Sequence, residues 1–191
     1  MTKQIPIEIS ARHVHLTEKD FEKLFGKSQE LHIIKSLSQE GEFSSKETLD
    51  LINEKNRIHN LRVVGPFRKR SQIEISLTDA HSLRLNPLPE LRISGDTSGT
   101  TKVLAKGSKG DLKLPVIIAK RHLHCSSEEG KKLNIRNNQI IKIKIAGKRG
   151  LIFDNVIVRI KENFRTSVHL DTDEANAAGI SGKTFGEIIK K

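Results

Sequence analysis

Apolar residues along this chain recur mostly at every second position, in short runs cut by turn-forming clusters, which is the periodicity of strands rather than long helices. Ile5-Pro6-Ile7-Glu8-Ile9 alternates in this way and predicts a half-buried strand that delivers Arg12, His13 and His15 at its far end. Pro6 suits a strand start or edge. Thr17-Glu18-Lys19-Asp20 predicts a helix N-cap with acids in the first turn, and Phe21, Leu24 and Phe25 follow at helical spacing before Gly26. Residues 31–37 and 57–64 read as strands, and 43–51, rich in small polar residues, as a loop or strand edge. A basic turn, Gly65-Pro66-Phe67-Arg68-Lys69-Arg70, leads into the alternating strand 71–76.

Thr78-Asp79-Ala80 opens a short helix, and Asn86-Pro87-Leu88-Pro89 breaks regularity before Leu91-Arg92-Ile93. Residues 104–114 are turn-rich and basic and read as the passage into a second half, where strand 116–119 begins. Ser126-Ser127-Glu128-Glu129 caps another short helix. Segments 139–146, 151–153 and 156–160 alternate well and are separated by turns, the pattern of an antiparallel barrel or meander. Residues 167–171 continue it, and 172–179 form an N-capped helical turn ending on Gly179. The predicted class is mainly β with short α-helices.

The stretch Ile9-Ser10-Ala11-Arg12-His13-Val14-His15-Leu16-Thr17 returns as Ile118-Ala119-Lys120-Arg121-His122-Leu123-His124-Cys125-Ser126. Strand, Arg-His-x-His, then capped helix thus occurs twice, so the echo is supersecondary as well as local. A chain of 191 residues suffices for one generous core or two small ones, and the echo favours two units related by an internal repeat.

Composition changes this picture little. Hydrophobic residues are 35% and charged residues 30%, with no Trp or Tyr, as in a globular protein with a lean aromatic core. The net charge of +11 makes a positive field that concentrates anionic partners, whether nucleic acid, phosphate or a nucleotide-bearing cofactor. Single-strand nucleic-acid readers add exposed aromatic platforms, and with seven Phe, several in core-like settings, polynucleotide binding is disfavoured. The single Cys125 cannot form an intramolecular disulfide. No apolar run approaches the ~20 residues of a membrane span. With no apolar leader, and Met1 to Gln4 too few for an amphipathic targeting helix, the expectation is a cytoplasmic protein whose fold begins almost at once.

On a strand, side chains at i and i+2 share a face, so each Arg-His-x-His presents two imidazoles side by side. His13, His15, His122 and His124 are therefore expected to converge. Neutral imidazole is a common zinc ligand, and two pairs exceed what one catalytic ion takes, which argues for two metals. The bland alternative is a pair of duplicated structural strands whose histidines only hydrogen-bond. His169, before the carboxylate-rich helix start Asp171-Thr172-Asp173-Glu174, is a fifth ligand or a capped structural residue. Glu47 is a candidate bridging or terminal carboxylate. Arg68 reaches a phosphate with a planar bidentate fork or is an ordinary solvated charge. Cys125 reads as a buried spectator on the opposite face from His124, and His32, His59 and His81 as surface or satisfied residues.

Taken in order, Ser10-Ala11-Arg12-His13-Val14-His15-Leu16-Thr17, the run 64–80, Arg92-Ile93-Ser94-Gly95-Asp96, Lys120-Arg121-His122-Leu123-His124 and the run 169–179 resemble the phosphate propanoyltransferase family of propanediol-utilisation microcompartments, nearly end to end. The resemblance implies an enzyme interconverting an acyl-CoA and phosphate with an acyl phosphate and coenzyme A. It implies two β-barrels capped by short helices, with the first strand completing the C-terminal barrel. With the repeat, this gives a central barrel over 16–113, carrying the basic phosphate-binding turn, and a C-terminal barrel over 114–191 completed by 1–15. It further implies two zinc ions held by His13, His15, Glu47, His122, His124 and His169, a phosphate-binding Arg68, and a homodimer. Cys125 and residues 85–90 depart from the family pattern but touch none of these positions. Members destined for a compartment carry an extra N-terminal amphipathic segment, which this sequence lacks, so a free cytosolic enzyme is expected. Two rivals share the residues: a dinuclear zinc hydrolase of a thioester or phosphoester, since the same ligands activate water, and a non-enzymatic metal-stabilised module binding polyanions.

Overall fold

The computed structural model describes residues 4–189. In chain order the elements are β1 (Gln4–Ser10), β2 (His13–His15), α1 (Glu18–Phe25), β3 (Ile33–Ser36), β4 (Phe43–Asn53), β5 (Asn56–Gly65), β6 (Gln72–Glu74), α2 (Leu77–Ser82), β7 (Leu91–Arg92), β8 (Lys102–Lys106) and β9 (Asp111–Ala119). There follow β10 (His122–Cys125), α3 (Ser127–Leu133), β11 (Ile140–Ile145), β12 (Leu151–Ile160), β13 (Ser167–Asp171), α4 (Thr172–Ala177) and β14 (Thr184–Ile189). None of the described helices is long and apolar enough to cross a membrane. The mainly β reading with short helices stands.

The chain divides into two compact units, one of residues 1–10 with 120–191 and one of 11–119. The first is a closed barrel in the order β1, β13, β10, β12, β11, β14 and back to β1. Its core is built on Ile5, Leu123, Ile143, Val156, Val168 and Leu170. In the second, β4, β5, β2, β6, β9 and β8 pair in turn and β8 returns to β4, closing a second barrel with β3 and β7 added outside it. Its core gathers Val14, Leu16, Phe21, Leu61, Ile73 and Val116.

Pairing for pairing the two barrels repeat each other. β2 lies parallel to β5 and antiparallel to β6, as β10 lies parallel to β12 and antiparallel to β13. β6 lies parallel to β9 as β13 does to β1. The strand that precedes each histidine doublet is therefore a wall of the other unit's barrel: β1 leads to β2, and β9 leads to β10. The expected single strand from Ile5 to His15 is thus two strands in two sheets, and 11–15 and 114–119 belong with the central unit rather than the C-terminal one. The turn at Ala11-Arg12 ends one alternation and starts another, which a hydropathy pattern alone does not separate. The expectations about where the fold begins at Met1, and the outermost residues 1–3 and 190–191 of the expected units, lie outside the described residues.

The helices start close to where the sequence puts them, except that α2 opens at Leu77 with Ser76 as its N-cap, not at Thr78. Thr17, Ser76, Ser126 and Asp171 each accept a hydrogen bond from the N–H three residues on. The strands held more surprises. Residues 43–51 are not a loop or edge but most of the long β4, whose Ser45, Leu49 and Leu51 point inward while register shifts break the alternation. Residues 104–114 are a hairpin of the central barrel, β8 and β9, with Val103 and Ala105 buried. The two segments 151–153 and 156–160 are one strand, bent at Asn155 with φ of 55°. Strand β14, unmarked in the sequence reading, closes the first barrel between β1 and β11.

The middle residue of each doublet, Val14 or Leu123, has no exposed surface, so it pins its strand to the core while the flanking histidines face the other way. Leu123→Ala should lower the unfolding free energy by about 3 kcal/mol through the cavity it leaves; denaturant melts check this, and a loss below about 1 kcal/mol would show the doublet strand is not anchored there.

Candidate metal centre

Among the described residues, two groups of side chains bring potential ligand atoms within 4.8 Å of one another: His13, His15 and Glu74 in the central unit, and His122, His124 and His169 in the other. The same local arrangement produces both. The first histidine of each doublet sits directly opposite the third member on the antiparallel neighbour, His13 opposite Glu74 and His122 opposite His169. Opposed residues on one face are the closest cross-strand neighbours a sheet offers.

In the central group, His13 Nδ1 donates to Ala11 O at 2.8 Å and His15 Nδ1 to Val64 O at 3.1 Å. A carbonyl only accepts, so both rings carry hydrogen on Nδ1 and their Nε2 lone pairs meet at 3.0 Å. Two facing lone pairs call for a proton or a cation between them. Their spacing is near the roughly 3.3 Å that two nitrogens take on one tetrahedral zinc. Glu74 Oε2 stands 3.8 Å from His13 Nε2, while Oε1 accepts from Gln72 Nε2 and from Ser94 Oγ at 2.6 Å. Burial raises the pKa of Glu74, but His13, His15, Ser94 and Arg68 more than offset it and hold the carboxyl well below its usual range. His15 is shifted down by burial first, then by the charges of His13 and Arg68.

In the second group His122 Nδ1 donates to Lys120 O at 2.9 Å, the counterpart of His13 with Ala11. The His122 and His169 rings stack 5.0 Å apart and His124 lies 4.8 Å from His169. His169 Nε2 shares a 2.9 Å hydrogen bond with Ser167 Oγ. Phe164 covers His124 with ring centroids 3.9 Å apart. Both ring nitrogens of His124 are buried without a hydrogen-bond partner, a costly condition for an imidazole that a metal ion relieves. Burial first, then His122 and His169, drive its pKa far below the ordinary value. Imidazole nitrogens with one carboxylate suit zinc, so the residues present fit two such ions, one per group.

Of the expected site residues, His13, His15, His122, His124 and His169 lie in these groups and Glu47 does not. Glu47 projects from β4 toward β3, where its carboxylate accepts from the backbone N–H of His32 at 3.1 Å and from His32 Nδ1 at 2.7 Å. Burial raises its pKa, but hydrogen bonds from His32, from Ser45 and from backbone N–H groups together more than offset it. Glu74 falls on the polar side of an alternating strand, where a glutamate reads as solvated, whereas β6 is buried on all three residues. The signal for it was a second repeat: Glu74-Ile75-Ser76-x-x-Asp79-Ala80 against His169-Leu170-Asp171-x-x-Glu174-Ala175, strand end, N-cap and third helical residue in step. Arg68 is tied to the doublet through its N–H to Leu16 O at 2.8 Å, and its Nη2 donates to Glu42 at 2.8 Å. Its charge bears on His15 and Glu74. Cys125 is buried, as expected of a spectator.

With this geometry in hand, comparison with known proteins is decisive. The phosphate propanoyltransferase family model matches residues 6–181. The chain belongs to that family. A phosphate propanoyltransferase of Clostridioides difficile is 40% identical over 98% of this chain and 90% of its own. One of Listeria monocytogenes is 41% identical over 98% and 88%, and one of Thermotoga maritima 44% over 91% and 83%. Both groups fall inside the matched span, and the family recognised from the motifs stands.

His15 and His124 are held neutral in the folded chain and protonate freely when it unfolds. Their folded pKa lies below the ordinary 6.5, so the stability they allow is complete above that pH and falls as pH drops below it. The melting temperature of the metal-free protein should decline from pH 7 to pH 5, and His124→Leu should flatten the decline; an unchanged slope in that variant would remove His124 from the account.

Proposed function

We propose that this acyltransferase interconverts an acyl-CoA, acetyl or propanoyl, and inorganic phosphate with the acyl phosphate and coenzyme A, with one zinc ion on His13, His15 and Glu74 and another on His122, His124 and His169. The observation that carries the metal part is the pair of unpartnered, buried nitrogens of His124, matched by the facing Nε2 atoms of His13 and His15. The family supports the reaction. The relatives named above are called phosphate propanoyltransferases, which favours propanoyl or a similar short acyl group.

Bound zinc supplies Lewis acidity for a thioester carbonyl and for a thiolate. The protein's own groups do the rest. Arg68, its fork oriented by Glu42, offers a planar pair of donors to phosphate. A phosphate oxygen forms the new bond to the acyl carbon, the C–S bond breaks, and coenzyme A leaves as the thiol after taking up a proton. Transfer is direct and needs no acyl-enzyme, so the buried Cys125 carries no acyl group. The net charge of +11 favours the phosphates of coenzyme A as well as inorganic phosphate. The family resemblance extends the reading to a homodimer.

Thiol release from propanoyl-CoA should require phosphate, stop on treatment with a chelator and return on adding zinc. Release without phosphate would make the protein a thioester hydrolase, and activity indifferent to chelation would remove the metals. Arg68→Ala should lower kcat/KM for phosphate by about 100-fold, the scale of one lost charge-stabilising donor, with little change in KM for the acyl-CoA. Cys125→Ala should keep its specific activity; a folded but inactive variant would point to an acyl-enzyme instead.

A further inference from the structure

The arginine that opens each Arg-His-x-His has no part in the chemistry above, yet both make the same contact. Arg12 Nη1 pairs with Asp79 Oδ1 at 2.9 Å, and Arg121 Nε pairs with Glu174 Oε1 at 2.7 Å. The two acids occupy equivalent places. Asp79 and Glu174 are each the third residue of a helix and each close a capping box with the N-cap, Ser76 or Asp171. Those helices, α2 and α4, begin three residues after Glu74 and His169 respectively. The pairing therefore ties the strand bearing a histidine doublet to the segment that carries the third member of the same group.

The tie acts at a sensitive point. Arg12 lies between Ala11, whose carbonyl accepts from His13 Nδ1, and His13 itself; Arg121 lies likewise between Lys120 and His122. Fixing the arginine fixes the carbonyl that sets the ring's tautomer and aim. Arg121 is held further by Asp154 O at 3.2 Å and by the Phe153 ring at 5.2 Å. A chance surface ion pair adds little to stability, but here it recurs in both barrels although Asp replaces Glu and Nη1 replaces Nε. Repetition with changed atoms points to the constraint rather than the particular bond.

We propose that Arg12 with Asp79, and Arg121 with Glu174, are positioning clamps, each setting the metal affinity of its own group of ligands. The proposal rests on the two-zinc reading. Outer partners that orient metal ligands alter affinity by about 10–100-fold when removed. Zinc titration of the full-length apoprotein against a chromophoric chelator reads this without any turnover. Arg12→Ala should weaken one of two zinc sites by about tenfold and leave the other as in the wild type, while Arg121→Ala should weaken the other site. Asp79→Asn, which keeps an oxygen for the helix cap, should reproduce Arg12→Ala, and the double variant should be no worse than either single change. Should Arg12→Ala fail to fold, Arg12→Lys, which keeps the charge and loses the fork, should show the same site-selective loss to a smaller degree. Unchanged affinities in the single variants, or both sites weakening together in step with the melting temperature, would overturn the clamps. A wild-type protein that takes up no zinc would overturn the metal reading and the clamps with it.

Discussion

The alternation of side chains along two very short strands governs everything else in the candidate site. With Val14 and Leu123 wholly buried, the histidines on either side of each have a single face left to occupy. A slip of one residue would drive an imidazole into the core and expose the aliphatic side chain, so the register is strongly fixed. Once it is fixed, the antiparallel neighbour must present its own residue directly opposite, and that residue is Glu74 in one barrel and His169 in the other.

The identity of that opposed residue makes the two groups electrostatically unlike. One contains a carboxylate that stays ionised and the other three imidazoles with no carboxylate. With a dication in each, the first group would carry one net positive charge and the second two. Arg68 adds its charge beside the first group, on a turn hydrogen-bonded to the doublet strand. Duplicated architecture has thus been given unequal chemistry by one exchanged side chain.

Local features were the most legible in the sequence. Thr17 and Ser126 are polar residues with acids close behind and read directly as N-caps, and the doublets announce themselves by repetition. The five histidines follow from strand geometry together with the family motifs. Glu47 and Glu74 show the limit. Both are glutamates on strands, and only pairing distinguishes the one beside His32 from the one opposite His13. Residues 43–51 misled because Ser and Thr on a long bent strand carry no clean alternation, and Gly107 and Gly110 made a hairpin look like a linker. The separation of β1 from β2 was hidden because two residues suffice to pass from one sheet to another.

The exchange of leading strands gives the two barrels different histories on the ribosome. The central unit, 11–119, is one continuous piece of chain whose strands are all available before β10 is made. The other unit draws its strands from both sides of that piece and cannot close until β14 pairs with β1. Its β1 has no partner in its own barrel until β13 is made and gains its second from β14, the kind of long-range pairing that folds slowly. The group of His122, His124 and His169 therefore stands in a barrel that waits for its most distant pairing, whereas that of His13, His15 and Glu74 does not.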